Sequence, residues 1–206
     1  MKSNFFKVIA QNQTYLNIFY LLLSFPLGLF YFIFLVTGLS LGAGLIITFL
    51  GIPILFGTLL LWRVFGGFER QLAVIMLKIK IPFKPLKKSK KFWENIKLYF
   101  TDSFTWKSLT YLFIKFPLGI VSFVILVTLF SVSLSLVAVP ILYYLTRVGT
   151  IAGNFCIGTN GVCFINNYFN AIIVGIVGVF LVFVSLHAIN GIARIFGLLT
   201  KALLGK

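Results

Sequence analysis

The chain has 206 residues, 60% of them hydrophobic and 10% charged, and its mean hydropathy is +1.09. That balance leaves too little polar surface for a soluble globular domain and points to an all-α integral membrane protein. Lys and Arg number 18 against 3 Asp and Glu, a net charge of +15, and basic residues held to one side of a membrane explain it without nucleic acid.

Met1 to Asn12 form a polar and basic lead with Lys2 and Lys7. The apolar run behind them is too long for a signal peptide and lacks a small-residue cleavage site, so it is expected to remain as the first span. A span needs about 20 mostly apolar residues to cross roughly 30 Å of hydrocarbon. Four stretches qualify, at about 15–36, 43–64, 109–130 and 168–189. They are continuous rather than alternating, which favours helices over barrel strands. Asn12 suits the cap of the first helix and Ser103, or Asp102 beside it, the cap of the third. Tyr15 and Trp106 then serve as headgroup-level anchors.

The first span is repeated. Tyr20 to Ser40 lies over Tyr111 to Ser131 at an offset of 91, with 11 of 21 positions identical, among them Tyr20, Pro26-Leu27-Gly28 and Val36-Thr37. Apolar bias alone does not place Tyr, Pro-Leu-Gly and Val-Thr in register. Pro26 and Pro117 fall inside their spans, where each removes a helical hydrogen bond. Either a static kink or a hinge used in signalling fits them. Gly38, Gly42 and Gly44 suit a tight hairpin turn, and the GxxxG spacing of Gly38 and Gly42 also allows a homodimer.

Trp62-Arg63 closes the second span. Residues 65–81, FGGFERQLAVIMLKIKI, read as an amphipathic helix along the inner leaflet. Pro82 and Pro85 end it, and LKKSKK from Leu86 to Lys91 is a basic tether drawn to anionic inner-leaflet lipid. Of the 18 Lys and Arg, 11 lie between Arg63 and Lys107. Positive charge marks the cytoplasmic face, so both termini and this loop are expected inside, with an even number of crossings in each half.

Val132 to Leu145 is apolar but short and broken by serines and Pro140. It is expected to re-enter, to lie at the outer interface or to prolong the third helix. At an offset of 124, Arg63, Gly67 and Arg70 fall over His187, Gly191 and Arg194. Arg63, Arg70, His187 and Arg194 are therefore read as interfacial basic groups, and Ile192 to Leu204 as a second surface helix. The difference between the two offsets implies an extracytoplasmic insertion at about 132–164. It carries Cys156 and Cys163, expected to form a disulfide. Asn154, Asn160, Asn166 and Asn167, with Gly153, Gly158 and Gly161, are the candidate stimulus-facing element.

The organisation is one membrane domain of two tandem repeats, 12–81 and 103–206, joined by a basic cytoplasmic linker, 82–102. Each repeat is two spans plus an amphipathic cytoplasmic helix. No catalytic, cofactor or metal site is expected. The acids Glu69, Glu94 and Asp102 are assigned to the cytoplasmic loop, and Lys115 is expected to snorkel to the inner face.

Taken together, YLLLSFPLGLFYFIFLVTGLSLGAGLIITFLGIPIL, FERQLAVIMLKIKIP, SFTWKSLTYLFIKFPLGIVSFVILVTL and GIARIFGLLTKALLGK resemble the Putative sensor domain found before prokaryotic histidine kinases and as free-standing proteins. The resemblance runs from about Tyr15 to Gly205. It implies a four-span sensory or signal-coupling module in the cell membrane, acting through a separate protein partner. With no dimerisation helix, phosphoacceptor region or ATP-binding domain before Lys206, a self-contained kinase is not expected. The alternatives are a structural or accessory subunit of a membrane complex and a small transporter.

Overall fold

The computed structural model describes residues 11–82, 98, 100–149, 158–159, 162–163, 165 and 167–205. Among them are four helices long and apolar enough to cross a membrane: α1 (Asn12–Gly44), α2 (Gly51–Met76), α3 (Ser103–Arg147) and α4 (Tyr168–Leu204). Large apolar side chains such as Phe30, Ile33, Val64, Ile75, Ile176 and Phe180 are exposed on them, as suits helices whose solvent is hydrocarbon.

The α1–α2 connection is a tight hairpin. A 3-10 turn, Ile46–Thr48, leads to Phe49 in the left-handed region at φ 58°, and the Gly51 amide donates back to the Leu45 carbonyl at 2.9 Å. A Cβ on Gly51 would lie 2.2 Å from the Gly42 carbonyl oxygen, so the turn requires glycine there.

Two expectations need correction, and one left open is decided. The chain does not break after Arg63 into a separate surface helix over 65–81, because α2 runs unbroken to Met76. Its stripe Leu59, Trp62, Gly66, Glu69, Ala73 and Met76 is buried, and burial at i, i+3, i+4 and i+7 holds one continuous helix. After Leu77, Lys78 turns the chain at φ 51°, and residues 79–82 have no regular structure. Likewise, Ile192 to Leu204 continues α4 rather than forming a second surface helix. Of the three possibilities for Val132 to Leu145, the structure takes the third, since these residues prolong α3 to 45 residues. Its serines are compatible with helix because they bond back to their own turns: Ser133 Oγ to Leu129 O at 2.6 Å and Ser135 Oγ to Val132 O at 2.9 Å.

The chain divides into two compact units, one of residues 15–123 and 190–206, the other of residues 1–14 and 124–189. The first has a core of Tyr31, Leu35, Leu59, Trp62, Phe104, Tyr111, Leu112 and Leu204. The second has Val139, Tyr143, Ile165 and Ala171 at its centre. In the second, Ser133 and Ser185 hydroxyls meet at 3.1 Å, and a Cβ on Gly178 would lie 2.6 Å from the Val137 amide nitrogen. A two-residue antiparallel pairing sets Gly158 opposite Cys163 and Thr159 opposite Val162.

Candidate functional site

The first unit holds a polar site within its apolar core. It begins where α1 and α3 meet. A Cβ on Gly28 would stand 3.0 Å from the Lys115 carbonyl oxygen and 3.1 Å from Phe116 Cα, and a Cβ on Gly119 would stand 2.8 Å from the Ser24 carbonyl oxygen and 3.2 Å from Phe25 Cα. Glycine at both positions lets backbone lie against backbone. The two contacts are reciprocal, since Ser24, Phe25 and Gly28 each lie 91 residues before Lys115, Phe116 and Gly119. The flanking rings obey the same rule. Phe25 stacks on Phe123 at 4.8 Å, and Phe32 on Phe116 at 4.4 Å. Such stacked pairs are worth roughly 0.5–1.5 kcal/mol each beyond their buried area. Tyr20 and Tyr111, also 91 apart, bring their hydroxyls within 3.5 Å.

Around this crossing the polar groups form a connected set. The Tyr111 hydroxyl lies 3.1 Å from Thr200 Oγ1 on α4, and Thr200 Oγ1 donates to Phe196 O at 2.8 Å. Lys115, on α3 one turn beyond Tyr111, pairs with the Glu69 carboxylate of α2, and both side chains have 0% exposure. This corrects two expectations: Lys115 does not snorkel, and Glu69 is not a surface acid of the loop. Taking either charge from water alone would be prohibitive, whereas a mutual hydrogen bond in low dielectric makes both tolerable. The Lys115 ammonium also lies 5.0 Å from the Tyr20 ring centroid and 5.9 Å from that of Tyr111, within cation–π range. The second carboxylate oxygen, Oε1, has no hydrogen-bond partner, and neither does the buried Tyr31 hydroxyl. The Tyr31 hydroxyl lies beside Glu69. At the corresponding positions in the other half, 91 before Lys115 and 124 after Glu69, stand Ser24 and Ala193.

The expected site residues are placed as follows. Pro26 and Pro117 are exposed on α1 and α3, two residues before the crossing glycines. Arg63 Nη1 donates to Asp102 Oδ2 and to Thr105 Oγ1, both at 2.7 Å, and its guanidinium lies 5.3 Å from the Phe104 ring. Asp102 just precedes α3, and its carbonyl accepts from the Thr105 amide at 3.1 Å. Arg70 Nη2 donates to the Ile81 carbonyl at 2.9 Å, securing the chain after α2. Arg194 is exposed on α4. In the other unit, His187 Nδ1 lies 3.0 Å from Phe183 O. Asn167 is exposed, whereas Asn154, Asn160, Asn166 and the expected Cys156–Cys163 disulfide lie outside the described residues.

The reading of the residues missed the inward Glu69–Lys115 pair and an amide bond from Asn17 Nδ2 to Asn190 Oδ1 at 2.8 Å. A signal for the inward placement of Glu69, though not for its partner, was present, because it falls on the helical stripe of Leu59, Trp62, Ala73 and Met76. The site binds α1, α2, α3 and α4 together. Among the described residues, no group of three His, Cys, Asp or Glu could hold a metal ion. An apolar groove of about 520 Å³ between α1 and α2, lined by Phe30, Phe34, Gly38, Ile54, Thr58 and Leu61 among others, is separate from this polar set. Its Thr58 hydroxyl is already engaged with Ile54 O at 2.8 Å.

Comparison with known proteins gives one match: the family model described as Putative sensor covers residues 20–204. No curated protein and no solved structure matches the chain.

Proposed function

Since the chain belongs to the Putative sensor family, we propose that it is a membrane-embedded sensory or signal-coupling module of a prokaryotic cell membrane that acts through a separate protein partner. The observation that carries this reading is the reciprocal α1–α3 crossing, with Pro26 and Pro117 beside its glycines. It supports a pivot, because interrupted helical hydrogen bonding next to a backbone-to-backbone contact lets two helices shift without repacking bulky side chains. In this reading the two tandem halves are related by rotation about the membrane normal. Both termini and the basic stretch from Arg63 to Lys107 face the cytoplasm, where they meet anionic lipid and the partner. The far ends of α2 and α4 pass the motion on.

The test does not require knowing the partner. Deleting the gene should alter a defined set of transcripts across a panel of envelope stresses, and the wild-type gene should restore them. Gly119→Val, present in the membrane at normal level, should not. A transcript profile indifferent to the deletion would sink the sensory reading and leave an accessory subunit of a membrane complex in its place.

A further inference from the structure

The Glu69–Lys115 pair is more than a staple, because its surroundings provide for both protonation states of Glu69. We propose that Glu69 is an intramembrane proton-binding site whose occupancy makes or breaks the buried charged tie between α2 and α3, apart from the tie that Arg63 makes to Asp102 and Thr105. The proton would be the ligand, and the pair a point at which the module responds to pH. This rests on the sensory reading for its use, and the test below is independent of that reading.

Four observations carry it. First, Glu69 is fully buried and uses only one carboxylate oxygen for Lys115, leaving Oε1 without a partner. Second, the Tyr31 hydroxyl is buried beside Glu69 and has no other hydrogen-bond partner. A hydroxyl is both donor and acceptor, so it suits an ionised carboxylate as donor and a protonated one as acceptor. Third, an ammonium that loses its counterion in an apolar core normally becomes untenable, yet Lys115 is also faced by the Tyr20 and Tyr111 rings at 5.0 and 5.9 Å. Those ring faces can keep it charged once Glu69 is neutral. Fourth, release would be felt on other helices, since Tyr20, Tyr111 and Thr200 link α1, α3 and α4 through their hydroxyls.

The groups facing the pair from each element fit this assignment. Tyr20 and Tyr31 come from α1, Tyr111 from α3 beside Lys115, and Thr200 from α4. Arg70 follows Glu69 on α2 but donates to the Ile81 carbonyl. The proton balance is simple. One proton from the aqueous phase adds to Glu69 Oε1, the charge-assisted bond from Lys115 is lost, and the new O–H donates to Tyr31 Oη.

The experiment is infrared difference spectroscopy of the full chain in lipid nanodiscs, comparing alkaline with acidic buffer. Wild type should gain the carbonyl band of a protonated carboxyl group on acidification. Glu69→Gln should lose the part of it owed to Glu69, leaving that of Glu94, Asp102 and the C-terminus. Glu69→Gln/Lys115→Met, which removes both charges and so avoids stranding a lysine, should lose the same part. Lys115→Met should move the transition toward higher pH by tenfold or more in proton concentration, since no ammonium then opposes uptake. Tyr31→Phe should keep the band but shift it to the frequency of a free carboxyl. Replacing residues 154–167 with a Gly-Ser linker should leave it unchanged. A wild type without the band, a band undiminished in both Glu69 variants, or a Lys115→Met transition at the wild-type pH would each overturn the proposal.

Discussion

Replacing Gly119 with alanine tests the α1–α3 crossing directly. The added methyl would lie 2.8 Å from the Ser24 carbonyl oxygen and 3.2 Å from Phe25 Cα. Both are backbone atoms of a packed helix, so neither can rotate away. Overpacking of this kind costs about 1–3 kcal/mol, while alanine gains about 1 kcal/mol over glycine in a helix interior. The net expectation is a change from near zero to about 2 kcal/mol destabilising. Gly67 is the internal control, with no atom within 4 Å of its added Cβ, so Gly67→Ala should stabilise by up to about 1 kcal/mol. Gly28→Ala, with its nearest backbone atom at 3.0 Å, should fall between them. Reversible unfolding in mixed micelles, titrated with a denaturing detergent, reads all three. If Gly119→Ala and Gly67→Ala moved the midpoint equally and in the same direction, the close crossing would be wrong.

Lys115→Met should destabilise by about 3–5 kcal/mol, because it leaves Glu69 buried without its partner. Adding Glu69→Gln should recover much of that loss, and strictly additive effects in the double-mutant cycle would disprove the pairing. Asn17→Ala should cost only about 0.6 kcal/mol and at most about 1.7, as interhelical amide bonds do in membranes; the same unfolding assay would expose a larger role. A cysteine placed at position 90 should stay unlabelled by an impermeant thiol reagent added from outside, and labelling there would invert the proposed orientation.

The four helices were legible because each is a long apolar run, a signal that survives any ignorance of packing. Their true lengths were not. Ser133 and Ser135 read as breakers by residue type, yet a serine that bonds back to its own turn interrupts nothing. Glu69, Arg70, Lys78 and Lys80 together suggest a surface helix, because their charge by itself does not say which face carries it. Glu69 lies inward among Trp62, Ala73 and Met76, while Lys78 and Lys80 lie beyond the helix end and are exposed. The pairing of Glu69 with a lysine 46 residues away leaves no periodic trace at all. The Pro-Leu-Gly motif was visible as a repeat, but that its two glycines would meet each other's neighbouring backbone required coordinates.

The reciprocal crossing has a consequence for what this bundle can contain. Two separate identical chains meeting in this way would carry every residue twice, so a lysine near the meeting point would bring a second lysine with it. The joined chain escapes that constraint. It places one ammonium and one carboxylate on a single flank, between α2 and α3, and leaves Ser24 and Ala193 at the matching places on the other. The charged flank is where α2 can be fastened or set free, while the neutral flank is joined by an uncharged Asn17–Asn190 amide bond that no change of pH within the working range would undo. A homodimeric ancestor or mimic of this bundle could pivot, but its two sides would have to act alike; here one side is free to act as a latch while the other remains a bearing.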